Sequence, residues 1–174
     1  MFMRQNSYSR TAAVNYAVRY ALKPNPAYRY FKLNDNTGGD CANFLSQCLF
    51  AGGAPMIYNS NNQWWYNNKG TSKVDDDTWT NSWTVAHALY WLLKINNESN
   101  LYGPKGLEVS SAHMLEPGDL IFFENSNGIK FHSAIVTSIS NNIPLISHHS
   151  FEALNIPYNS SWPADKLRFL KIRV

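Results

Sequence analysis

Along Ser9–Leu22 apolar residues recur at three- and four-residue intervals, with Ala13, Ala17, Tyr20 and Ala21 on one face. This spacing predicts a helix that Ser9 caps and Pro24-Asn25-Pro26 ends. Tyr28, Tyr30 and Phe31 follow in an extended or irregular stretch, and Asn34-Asp35-Asn36-Thr37-Gly38-Gly39 is a strong turn signal. A second helix should start near Asp40 or Cys41. Cys41, Phe44, Leu45, Cys48 and Leu49 keep helical spacing there, and Gly52-Gly53 terminates it. Residues 54 to 82 lose this periodicity and read as a long loop holding Trp64-Trp65-Tyr66 and the acidic run Asp75-Asp76-Asp77. Ser82 then caps a third helix from about Trp83 to Ile95, carrying Val85, Leu89, Leu92 and Leu93.

From Pro117 the pattern changes to strands. Gly118-Asp119 turns into Leu120-Ile121-Phe122-Phe123, and Asn125-Ser126-Asn127-Gly128 is a hairpin turn. Phe131–Ile139 is β-branched and apolar, Asn141-Asn142 makes another turn, and Ile143–Ser150 is a third strand. Its alternation puts Ile143, Leu145, Ser147 and His149 on one face, Ile146 and His148 on the other. Lys166–Val174 reads as a last strand. Helices first and an antiparallel meander afterwards is the pattern of an α+β domain.

Length and composition narrow the picture without changing it. The chain has 174 residues, 44% hydrophobic and only 16% charged, which is a globular composition of one-domain size spanning residues 1–174. The net charge of +3 comes from scattered basic residues, including Arg4, Arg10, Arg19 and Lys23 near the start. Lys166, Arg168, Lys171 and Arg173 form a C-terminal basic set in which Lys166, Arg168 and their neighbours alternate with apolar residues as on the wet face of a strand, so no nucleic-acid partner is expected. Cys41 and Cys48 lie seven apart on one helix, about 10.5 Å between Cα atoms, beyond the roughly 7 Å reach of a disulfide; both are read as free thiols. No apolar run approaches the roughly 18 residues of a membrane span, and the N-terminus lacks the apolar core of a secretory signal. A cytoplasmic chain, or a domain of a larger exported protein, is expected from this, and a monomer.

Cys41 carries the chemistry. A cysteine at a helix start gains thiolate character from the helix dipole, and the same unpaired N–H groups can hold an oxyanion. His132 stands at a strand start among small and apolar neighbours and needs a polar partner. Taken alone, Cys41 reads as a small buried hydrophobe and His132 as a satisfied histidine. Asp40 is expected as the N-cap of the helix. Ser46 and Gln47 are expected in packing or hydrogen bonding, and Cys48 in the core. Trp64, Trp65 and Tyr66 divide evenly between lining a substrate groove and covering the core. Asp75-Asp76-Asp77 lacks the spacing of a calcium loop and reads as a solvated acidic run.

Several segments carry a resemblance. Asp40-Cys41-Ala42-Asn43-Phe44-Leu45-Ser46-Gln47-Cys48-Leu49 and Ala51-Gly52-Gly53-Ala54-Pro55-Met56 resemble the nucleophile segment of the bacterial "putative amidase domain" family. So do Ala12-Ala13-Val14-Asn15-Tyr16-Ala17, Asn25-Pro26-Ala27-Tyr28, Gly118-Asp119-Leu120-Ile121, His132-Ser133-Ala134-Ile135-Val136-Thr137 and Pro144-Leu145-Ile146-Ser147-His148-His149-Ser150. The resemblance implies a papain-like α+β fold similar to NlpC/P60 and CHAP cysteine peptidases. It also implies a thiol amidohydrolase acting on a peptide or peptidoglycan fragment. Cys41 would be the nucleophile, His132 the base, and His149, or its neighbour His148, the group that orients His132. No cofactor or metal is called for. A degenerate binding module for wall material and a thiol acyltransferase are the alternatives, the latter sharing the first half-reaction.

Overall fold

Ser9 opens the first helix, α1 (Arg10–Tyr20), by accepting a hydrogen bond from the Ala12 N–H, in a computed structural model that describes residues 7–34, 37–59 and 61–174. The turn predicted around Asp35 and Asn36 therefore has its centre outside the described residues, as does Arg4. Ala13, Ala17 and Ala21 give α1 a flat buried face, on which α2 (Cys41–Ala51) packs. Every residue of α2 from Cys41 to Leu49 is buried, which makes it the central helix. Gly52 closes it with an N–H bond to the Cys48 carbonyl.

The third helix departs from expectation. It is two pieces, α3 (Asn81–Thr84) and α4 (Ala86–Glu98), separated by Val85 in extended conformation. A β-branched residue accommodates that break readily. Thr80, not Ser82, occupies the N-cap position of α3, and the Ser82 hydroxyl instead donates to the Gln63 carbonyl. Residues 54 to 82 are also more ordered than a loop: Ile57 and Trp64 bridge, and Tyr66–Asn67 pairs with Thr78–Trp79.

Six strands build the sheet: β1 (Lys105–Val109), β2 (Leu120–Glu124), β3 (Lys130–Ser140), β4 (Ile143–His148), β5 (Ala153–Pro157) and β6 (Lys166–Arg173). Their order is β1-β6-β2-β3-β4-β5, antiparallel throughout, so the fold is α+β. Both edge strands, β1 and β5, escape a reading by alternation because they are short and half-buried. Period-two alternation sorts the sheet's side chains. Leu120, Phe122, Ile135, Leu170 and Ile172 join the helix-side core, whereas Ile121, Phe123, Ala134, Val136 and Ile146 form a second core behind it, against Tyr158 and Trp162.

Polar anchors tie the two layers. The buried Asp119 accepts from Arg10 at 2.6 Å and from the Ile172 N–H at 2.8 Å, joining α1 to β6. Gly118 turns with φ +95°, and a side chain there would press on Arg10. Three of the C-terminal basic residues are engaged: Arg168 pairs with Glu124 and Glu108, Lys171 with Glu116, and Arg173 donates to Asn97. No helix among the described residues is long and apolar enough to cross a membrane.

Candidate active site

Cys41 is the first residue of α2, and the chain before it is shaped to hold it there. Gly39 lies at φ +84°, packed so closely on Ser150 that a side chain would collide with the hydroxyl. The Asp40 N–H donates to Ser150 Oγ at 2.7 Å. Asp40 occupies the N-cap position of α2 as expected, but its side chain makes no capping bond. Its carboxylate is drawn sideways instead, accepting from the Phe31 N–H at 3.0 Å and from Asn43 Nδ2 at 2.8 Å, with Oδ2 2.5 Å from His149 Nδ1.

His149 is fully enclosed by this arrangement. Its Nε2 donates to the Tyr20 carbonyl at 2.8 Å, and its ring stacks on Phe44 with centroids 4.1 Å apart. A carbonyl can only accept, so Nε2 carries a proton, while Nδ1 faces the Asp40 carboxylate. Ser150 and Phe151 both follow in the left-handed region, at φ 60° and 54°. Such strain persists where surrounding contacts over-determine it. Here it turns Ser150 Oγ back onto the start of α2.

Cys41 is 3% exposed, and its sulfur faces Ser133 on β3. The Ser133 hydroxyl is buried with no nitrogen or oxygen partner of its own. Burial pushes the Cys41 thiol above its ordinary range; Ser133 and the Ala42 N–H pull in the opposite direction, and Asp40 adds to the rise. Cys48, two turns on, is fully buried and held higher still by the same cause. Both cysteines are free thiols.

The structure does not bring His132 to Cys41. A bulge between β2 and β3 matches Glu124 with Lys130 and Phe123 with His132, leaving Phe131 as the extra residue. From there the alternation sends Ser133 and Ile135 to the helix side, and His132 and Ala134 behind the sheet. His132 stacks on Trp162 at 4.9 Å and meets His148 edge-on at 4.6 Å. Its Nε2 has no partner, and burial, reinforced by His148, pushes its pKa down to about 2. The Nε2 of His148 pairs with Ser161 Oγ at 2.9 Å. The expected site residues are thus divided, with Cys41 and His149 before the sheet and His132 and His148 behind it.

A cleft of about 430 Å³ opens over Cys41, between Phe31, Gly38 and Gly39 on one side and Val85, His87, Ile129 and Phe131 on the other. His87 is a cleft residue that the chain's pattern hides, since it falls within the first turn of an ordinary amphipathic helix. The aromatic triplet does not line this cleft. Trp64 is 0% exposed, donates to Ser46 Oγ at 3.0 Å and packs on Trp83, so it is core. Tyr66 is buried and donates to Asp77, which removes that residue from the solvated acidic run; Trp65 alone stays half-exposed, stacked on Tyr58. Ser46 and Gln47 do serve in hydrogen bonding, Gln47 with Tyr16 at 2.7 Å. Among the described residues no three His, Cys, Asp or Glu side chains cluster to hold a metal ion.

Comparison with known proteins gives this geometry a context. The uncharacterized protein YhbB of Bacillus subtilis is 35% identical over 156 residues, covering 87% of this chain and 44% of that protein. The uncharacterized protein YjcM of the same organism is 33% identical over 154 residues, covering 86% and 32%. This chain therefore spans less than half the length of either relative. No solved structure matches it. A family model described as "Putative amidase domain", whose name points to amide hydrolysis as the general chemistry, matches residues 7–172. With nearly its whole length matched, the chain belongs to that amidase-domain family.

Proposed function

We propose that the protein is a thiol-dependent amide hydrolase in which Cys41 is the nucleophile. One observation carries the reading: in a chain of the amidase-domain family, a cysteine begins a buried helix at the floor of an open cleft. Cys41 Sγ bonds to the carbonyl carbon as its proton passes to the base, the C–N bond breaks, and the amine departs carrying that proton. Water then cleaves the thioester, releasing the acid and restoring the thiol. The N–H groups of the first turn of α2 are the natural donors to the oxyanion. The papain-like layout implied by the resemblance is kept as part of this proposal, supported by a helix-start cysteine packed on an antiparallel sheet.

His149 with Asp40 is the hydrogen-bonded pair on the nucleophile's side of the sheet, and we assign it the acid–base role, for which the ring must release Asp40 or Tyr20 to take up the thiol proton. His132, the base that the resemblance implies, is the second reading; it requires β3 to turn its opposite face to the cleft. Rates of His149→Ala and His132→Phe against one amide substrate separate the two. The first reading expects the larger loss from His149→Ala; total loss in His132→Phe with His149→Ala active would replace it by the second. Peptidic wall material is the substrate class that the resemblance implies. Digestion of purified peptidoglycan, with released fragments identified by mass, tests it: new amine termini are expected, and their absence while small amides are cleaved would remove the wall substrate.

A further inference from the structure

The cleft over Cys41 is apolar where a substrate would rest. Phe31, Val85, Ile129 and Phe131 supply its walls, with Val85 46% and Ile129 44% exposed toward the opening. Two lining residues bear nitrogen, and neither offers a free charge. The Lys130 ammonium is buried, 2.9 Å from the Glu124 carboxylate and 4.3 Å from the centre of the Tyr90 ring, and it donates to the Gly128 carbonyl. His87 accepts from the Lys130 N–H at 3.2 Å, and burial together with Lys130 favours its neutral form. The nearby carboxylate of Asp40 is turned inward onto Phe31, Asn43 and His149.

A charged substrate group entering such a space loses water and meets no partner, whereas an apolar group covers surface already out of place in water. The acyl part of the substrate must stay beside Cys41 through both half-reactions, so the cleft acts on that part above all. Resting on the thiol-hydrolase reading, we propose that the cleft selects substrates whose residue at the scissile carbonyl carries an uncharged, apolar side chain of medium to large size. Its volume of about 430 Å³ suits one such side chain with the adjoining backbone.

The test labels Cys41 without requiring turnover. The N-acetyl chloromethyl ketones of Leu, Phe, Lys and Glu are compared by second-order rate, normalised to their rates with glutathione, and the adduct is located by peptide mass. The Leu and Phe reagents are expected to label Cys41 at least about tenfold faster than the Lys and Glu reagents, within the range by which apolar pockets discriminate. Ile129→Asp is expected to narrow that ratio and to raise the rate of the Lys reagent. Equal or reversed rates in the wild type overturn the proposal, as does a failure of all four reagents to label Cys41. Selective labelling in a protein that cleaves no amide upholds the cleft's selectivity and removes the hydrolase reading instead.

Discussion

One β-hairpin, β3–β4 with the residues just after it, carries two histidine sites on its two faces, and they are opposite in character. On the helix side, His149 has both ring nitrogens engaged, by Asp40 and by Tyr20, next to a reactive residue type at a helix start. Behind the sheet, His132 lies between Trp162, Phe123 and His148 with one nitrogen unpartnered. The first site is fully hydrogen-bonded. The second excludes a proton, since burial without a partner disfavours the charged ring. Histidines of equal promise in the sequence thus acquire different chemistry from one bulge and the phase of a strand.

The largest effect is expected at Cys41. Cys41→Ala should lower amide hydrolysis by about a thousandfold or more, as loss of a nucleophile does, while urea unfolding stays within about 1 kcal/mol. A large loss of stability with activity per folded molecule intact would make Cys41 a packing residue. Asp40→Ala should follow in size. It removes the carboxylate that three buried or half-buried donors share, at a cost of about 3–5 kcal/mol. Unfolding in urea measures it, and a loss under about 1 kcal/mol would show the pair to be weak.

His132→Phe sharpens the contrast. With the folded pKa near 2 and the unfolded value about 6.5, the native state excludes a proton that the unfolded chain binds. The wild type therefore keeps this contribution above about pH 6.5 and loses it as the pH falls, by about 2 kcal/mol at pH 5. The variant should show a flatter acid limb in stability against pH. An acid limb as steep as the wild type's would mean that His132 does not titrate as described. The smallest effect belongs to Ser150→Ala, which removes the hydrogen bond to the Asp40 N–H and should cost about 1 kcal/mol. Its rate of Cys41 alkylation, read beside its stability, shows whether the helix start has shifted.

Much of the fold is legible along the chain because periodicity and punctuation report it directly. Ser9, Gly52 and the Asn141-Asn142 turn, with φ 49° and 62°, mark their boundaries as expected. The alternation of β4 separates His148 from His149 as read. The broken third helix is not legible, because Val85 fits a helical pattern and leaves it only under tertiary constraint. Neither is the facing of His132. It depends on a bulge that inserts one residue, Phe131, and one residue is enough to exchange the faces of a strand. Trp64 illustrates the same limit: its place in a polar segment leaves groove and core equally open, and a bridge to Ile57 folds it into the core. Ser150 carries no signal at all, since its role rests on left-handed backbone and a partner 110 positions away.

Burial holds the Cys41 thiol above its ordinary pKa, so adduct formation should quicken as the pH rises past about 8.5. Acid quenching of the protein during turnover of an N-acyl amide, followed by peptide mass analysis, locates the covalent intermediate. The predicted result is an acyl mass on the peptide that begins α2, assigned to Cys41, absent in Cys41→Ala and retained in Cys48→Ala. Turnover with no acyl adduct on Cys41, or an adduct on another residue, would contradict the account.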